Sequence, residues 1–226
     1  MSIQDLREKL GYHAAALGVI ALAASVTLAF ADLGTHKGIE DAERRDLQQS
    51  LAQVLPEGFA DNDLLKDKVT VKDDKGRDVQ VYRARLKGEA KGAVFQQANR
   101  GYANDVVVLM GVDATGTLLG VRVIKHSETP GLGDKIEIAK TDWILGFNGK
   151  SLVNTPVEKF GVKKDGGVFD QFAGATITPR AVVKSVREGL QFFDAHKAEI
   201  LAAAGEEKKL VHEQAGPHQD PQQQVK

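Results

Sequence analysis

Asp170-Gln171-Phe172-Ala173-Gly174-Ala175-Thr176-Ile177-Thr178-Pro179 sets a hydroxyl directly behind two small residues and directly ahead of a helix signature. Pro179 suits a first helical position, where a missing N–H costs nothing, and Thr178 suits the N-cap before it. Val182, Val186, Leu190 and Phe193 then recur as one apolar stripe, with Lys184, Arg187, Glu188 and Asp194 covering the rest. Gly174-Ala175-Thr176 is thereby held just outside a helix N-terminus, where free N–H groups and the helix dipole favour an anion such as phosphate. The two small residues let a bulky ligand approach the backbone. The chemistry open to such a loop is phosphate binding beside a hydroxyl. A neutral threonine hydroxyl is a poor nucleophile. The nearest carboxylate in sequence, Asp170, is not placed as a dedicated base, so any ester formed at Thr176 needs outside activation. On residue types alone, a small-residue turn capping a surface helix is the favoured reading.

A second stretch, His126-Ser127-Glu128-Thr129-Pro130-Gly131-Leu132-Gly133, joins a strand to a helix, and Pro130-Gly131 is placed as a type II turn wants it. His126 alone beside a strand end reads as structural. Trp143, the only tryptophan, suits either a core position or a cover over a ligand.

The composition narrows the chemistry. The 226 residues contain no cysteine, which excludes disulfides, iron–sulfur clusters and cysteine nucleophiles. Six histidines show no close pairing for a metal site. Net charge is −1, which gives no reason to expect nucleic acid as a partner. There is no Gly-x-Gly-x-x-Gly after a strand and no Walker loop, so binding of NADH or ATP is not expected.

The positioning elements follow from periodicity. Residues 1–9 are a short polar segment. Leu10 to Ala31 carries no Asp, Glu, Lys or Arg, and as a helix would span about 33 Å. The span is assigned to residues 10–33 as a retained transmembrane helix. A cleaved signal peptide is the alternative, since Ala29-Phe30-Ala31 has a small-x-small pattern. Arg7 and Lys9 before the span, and Lys37, Arg44 and Arg45 after it, leave orientation undecided. Glu40 to Leu55 reads as a juxtamembrane helix ended by Pro56-Glu57-Gly58. Strands are expected at Val69–Val71, from Val79 to about Leu86, at Gly92–Phe95, at Asp105–Val112 and at Leu118–Ile124. The last two form a hairpin around Asp113-Ala114-Thr115-Gly116. Asp134–Lys140 reads as a short helix, and Lys159–Lys163 and Gly167–Asp170 as two more short strands. The helix after Thr178 closes the domain near Ala204, and the Gln- and Glu-rich residues 205–226 read as a disordered polar tail. The fold class is α+β: one N-terminal transmembrane helix plus a mixed, mostly antiparallel sheet domain over residues 34–204 with flanking helices.

Asp170, three intervening residues and Gly174-Ala175-Thr176 resemble a flavinylation motif, and His126–Gly133 resembles the other signature of the same family. Behind one membrane segment, and over about Leu10 to Ala204, the chain resembles the G subunit of the Rnf-type ion-translocating ferredoxin:NAD oxidoreductase. The related C subunit of the sodium-translocating NADH:quinone reductase is the alternative, and Ile177-Thr178-Pro179 favours the former. A membrane-tethered scaffold without flavin is a reading of a different class.

The resemblance implies an FMN-binding domain with covalent FMN, joined by a phosphoester to Thr176 beside Gly174 and Ala175. It implies that Glu128, Thr129, Leu132 and Gly133 line the flavin, with no catalytic side chain and no metal. Ala173 stands where the motif usually has Ser or Thr, which removes one possible hydrogen bond. The implied partners are other subunits of a membrane redox complex and a flavin transferase that uses FAD and recognises Asp170. The chain would then be an electron-carrying subunit of a translocase, without turnover alone. It would sit in the bacterial inner membrane as a single-pass protein with its large domain on the periplasmic side.

Overall fold

The computed structural model describes residues 10–202; residues 1–9 and the tail expected from Gly205 lie outside the described residues. The chain divides into two compact units, Met1–Leu47 and Gln48–Lys226.

Helix α1, Leu10–Ala52, runs through the first unit. Its window His13–Phe30 has a mean hydropathy of 1.9 and is long and apolar enough to cross a membrane. Leu17, Ile20, Leu22, Leu28 and Phe30 are all exposed. Ser25 and Thr27 donate back to the carbonyls of Ala21 and Ala23 at 2.9 and 2.8 Å, which satisfies their hydroxyls inside the helix. The helix expected from Glu40 forms as the continuation of α1, which runs without a break to Ala52. No proline precedes Pro56, and Gly34 and Gly38 each cost only about 1 kcal/mol.

The second unit holds one antiparallel sheet in sequential order: β1 Lys68–Lys72, β2 Asp78–Leu86, β3 Glu89–Arg100, β4 Asp105–Asp113 and β5 Leu118–Lys125. Every pairing between these strands is antiparallel, as the mostly antiparallel sheet expected from the sequence requires. β3 is much longer than the expected Gly92–Phe95. The β2–β3 turn is Lys87-Gly88, with φ of 54° and 84°, as a two-residue hairpin of type I′ requires. β4 and β5 form the expected hairpin, with Gly116 at φ 91°.

Helix α2, Ile177–Ile200, lies across β3 and β4. Its stripe Val182, Val186, Leu190 and Phe193 is buried against Phe95, Val108 and Met110. Burial of each such side chain contributes roughly 1.5–3 kcal/mol. Gly189 sits in mid-helix because a Cβ there would lie 2.4 Å from Met110 Sδ. On the opposite face, Gly111 and Gly120 admit the backbone of Val54, just past α1; their Cβ atoms would lie 2.4 Å from Val54 O and 2.8 Å from Val54 Cα.

The stretch between β5 and α2 departs from expectation. Asp134–Lys140 forms only a 3-10 turn over Asp134–Ile136. The strands expected at Lys159–Lys163 and Gly167–Asp170 are replaced by 3-10 turns at Val157–Lys159 and Lys163–Asp165 and one isolated bridge, Val162 to Phe169. Packing holds this stretch instead of a ladder. Phe147, Phe160 and Phe169 are buried with ring centroids 4.3–6.4 Å apart. Trp143 joins this cluster through Phe147 at 5.4 Å and reaches Phe172 at 5.2 Å.

Candidate functional site

The loop Asp170–Thr176 grows out of that aromatic cluster, so its root is fixed. Trp143 Nε1 donates to the Asp170 carbonyl at 2.9 Å, and the Asp170 carboxylate pairs with Lys163 Nζ at 2.6 Å. Trp143 is therefore a strut under this loop, and is not among the side chains that wall the cavity described below. Ala175 N–H closes a turn on the Phe172 carbonyl at 3.2 Å, with Gly174 at φ 78°. A Cβ on Gly174 would meet only Leu132 Cδ2, at 3.9 Å, so glycine is needed there for conformation and not for space.

The start of α2 differs from the expected one. Thr176, not Thr178, is the N-cap, with φ −68° and ψ −27°, and its side chain makes no cap hydrogen bond. Pro179 falls at the third helical position. An N-cap oxygen ordinarily accepts from the second or third N–H of the helix, and proline removes the third. The Thr176 hydroxyl makes neither bond. The N–H groups of Ile177 and Thr178 find no carbonyl partner among the described residues, and Arg180 N–H is the first to close on Thr176, at 3.3 Å. One turn in, Arg180 grips Asp165 through two bonds of 2.7 and 2.6 Å. Those side-chain hydrogen bonds from Arg180 hold the Asp165 carboxyl below its ordinary value of 3.8.

Thr178 has another task. It is 1 % exposed, and its hydroxyl donates to Glu128 Oε2 in a short bond. Glu128, 5 % exposed, also accepts from Tyr102 N–H at 3.0 Å and Ala103 N–H at 3.3 Å through Oε1. A buried carboxylate is tolerable when donors surround it in this way. The Glu128 N–H in turn donates to His126 Nδ1 at 3.2 Å, which places the ring proton on Nε2, facing Glu137 Oε1 at 3.0 Å. His126 thus links the Glu128 backbone to Glu137. The Thr129–Gly133 turn closes on Thr129 O through Leu132 N–H and Gly133 N–H at 3.2 and 3.0 Å, with Gly131 at φ 78°, as Pro-Gly required.

These segments meet around one cavity of about 260 Å³, lined by Tyr102, Glu128, Thr129, Leu132, Gly133 and the run Gly174–Thr178. Every residue picked from the sequence as a site residue lies on its wall: Glu128, Thr129, Leu132, Gly133, Gly174, Ala175 and Thr176. Thr178, read from the sequence only as a cap, also lines the cavity, and Tyr102 and Ile177 were missed altogether. Both are exposed large side chains, at 69 % and 48 %, and with Leu132 at 46 % they give the cavity an apolar rim. An aromatic after Gly101 in a tight β3–β4 turn was the available signal. An apolar rim, a hydroxyl without a cap bond and unpartnered helix N–H groups together fit a planar aromatic group carrying a phosphate.

Comparison with known proteins agrees with that chemistry. Residues 101–191 match the family model of the FMN-binding domain, a span that contains the whole cavity wall. The G subunit of the ion-translocating oxidoreductase complex of Stutzerimonas stutzeri is 46 % identical over 84 % of this chain and 83 % of its own length. The protein of the same name from Cereibacter sphaeroides is 50 % identical over 82 % of this chain and 85 % of its own. Among solved structures, NqrC of Shewanella oneidensis shares 24 % identity, with a TM-score of 0.44 over 64 % of this chain and 72 % of that one. At these identities and lengths, the chain belongs to the family of G subunits of the ion-translocating oxidoreductase complexes.

Proposed function

We propose that FMN is joined through its phosphate to Thr176 Oγ1, with its ring in the cavity rimmed by Tyr102, Leu132 and Ile177. The chain is a membrane-anchored flavoprotein subunit of an ion-translocating oxidoreductase complex. The observation that carries the proposal is the Thr176 hydroxyl: an N-cap without its cap bond, on the wall of a cavity that both sequence signatures line. The first-turn N–H groups of Ile177 and Thr178 face the charge that a phosphodiester keeps. Leu132 and Ile177 offer apolar surface to the ring, and Thr129 with the Thr129–Gly133 backbone offers polar contacts to its edge. Glu128 contributes wall but keeps its oxygens for internal donors. When bound, FMN supplies one-electron transfer, and the protein supplies position and electrostatics.

Attachment requires a second enzyme. The Asp170 carboxylate is paired with Lys163, and the Glu128 carboxylate is held by three donors, so neither acts as a base for Thr176. A flavin transferase would use FAD, forming the Thr176 O–P bond as the pyrophosphate bond breaks and AMP leaves. Asp170, exposed beside the loop, is available for that enzyme to recognise. Electrons then pass between ferredoxin and NAD through partner subunits, with the large domain on the periplasmic side of the inner membrane. Purified chain, denatured and freed of small molecules, should keep yellow fluorescence; a colourless denatured chain would refute covalent attachment.

A further inference from the structure

We propose that Glu128 is a positioning residue, whose buried carboxylate locks the three walls of the flavin cavity in one register. The proposal rests on the reading that FMN hangs from Thr176. A group tethered at one point leaves its ring free to swing. Fixing the ring depends on walls drawn from three irregular segments: the Gly101–Ala103 turn, the Glu128–Gly133 loop and the Gly174–Thr178 start of α2. Glu128 bonds the other two walls directly to its own, through Tyr102 and Ala103 N–H on one side and the Thr178 hydroxyl on the other.

The surrounding sequence is shaped to this carboxylate. A Cβ on Gly101 would lie 2.5 Å from Glu128 Oε1, and also 2.7 Å from Val106 Cγ2 and 2.8 Å from Asn104 O. A Cβ on Gly133 would lie 2.8 Å from Glu128 Cβ and 2.9 Å from Thr178 Oγ1. Neither glycine has the positive φ that would require glycine for its own sake. Both leave room for one side chain to be gripped from two directions. With its oxygens taken by these donors, Glu128 has little capacity left to receive a hydrogen bond from the ring. Its role is then geometric. A glutamine would preserve it, with the amide oxygen toward Tyr102 and Ala103 and the amide nitrogen toward Thr178, whose hydroxyl turns to accept.

Two readouts on the full-length chain in detergent test this. Hydrogen exchange on protein made without the transferase reports the clasp itself. Fluorescence anisotropy of loaded protein, read per FMN attached, reports how firmly the ring is held. Glu128→Leu should raise exchange at Tyr102 and Ala103 about tenfold or more and lower the anisotropy. Glu128→Gln should stay within about twofold of the parent in exchange and match its anisotropy. Should Glu128→Leu fail to fold, Thr178→Val removes one donor and should move both readouts the same way, by less. Unchanged exchange in the Leu or Val variant would overturn the proposal, as would a Gln variant that behaves like Leu. The exchange arm needs no flavin, so a failure of the Thr176 reading would silence only the anisotropy arm.

Discussion

Gly133→Ala should destabilise the chain, and Gly131→Asn, two residues away in the same turn, should not. Gly133 has φ −87° and ψ −23°, a conformation any residue adopts, so alanine there is favoured by about 0.4–1 kcal/mol through the unfolded chain. Its methyl, however, would lie 2.8 Å from Glu128 Cβ and 2.9 Å from Thr178 Oγ1, both buried and bonded to each other. Overpacking of that kind costs about 1–3 kcal/mol. The net expectation is a loss of about 1–2 kcal/mol. Gly131 has φ 78° and nothing within 4 Å of an added Cβ. Its cost is conformational alone, about 1–2 kcal/mol for most residues but far less for asparagine, which tolerates the left-handed region. Urea unfolding of the full-length chain in detergent can be followed by Trp143, the only tryptophan. Gly133→Ala should lower the midpoint clearly, and Gly131→Asn should barely move it. A Gly133→Ala midpoint equal to the parent's would refute the claim that this glycine makes room for the Glu128–Thr178 contact.

Trp143→Phe should loosen the loop root by about 1 kcal/mol through loss of the 2.9 Å bond to the Asp170 carbonyl, read as a lower urea midpoint followed by circular dichroism. The Asp165 carboxyl should titrate below 3.8 and return toward that value in Arg180→Ala, by NMR. Since the folded chain favours its charged form, any stabilisation is whole above pH 3.8 and fades as pH falls through the lower folded midpoint. Mature protein taken from membranes should retain the apolar segment of α1; N-terminal sequencing that starts at Asp32 would mean cleavage after Ala31 and no anchor.

What the sequence revealed tracked how local the cause was. The α2 stripe, the β4–β5 hairpin and the Pro130-Gly131 turn are set by neighbours in the chain, and all appear as expected. The two short strands expected between Lys159 and Asp170 were misread because Phe160 and Phe169 bury into an aromatic cluster, not into a ladder. The α2 start was misread because Thr-Pro looks like a cap followed by a first turn. Thr178 is instead claimed by Glu128, fifty residues upstream, a contact no local rule reports. Tyr102 and Ile177 were missed for the same reason: each belongs to the cavity only once the three segments meet.

The central claim is that Thr176, and not Thr178, carries the flavin. Both have the hydroxyl, but that of Thr178 is buried at 1 % exposure and donates to Glu128, while that of Thr176 lines the cavity without a cap bond. Peptide mass spectrometry on chain purified from membranes of transferase-containing cells reads the site directly. It should find one FMN, less water, on Thr176 and none on Thr178, and in-gel flavin fluorescence should vanish in a folded Thr176→Val protein. FMN located on Thr178, or fluorescence undiminished in Thr176→Val, would contradict the account.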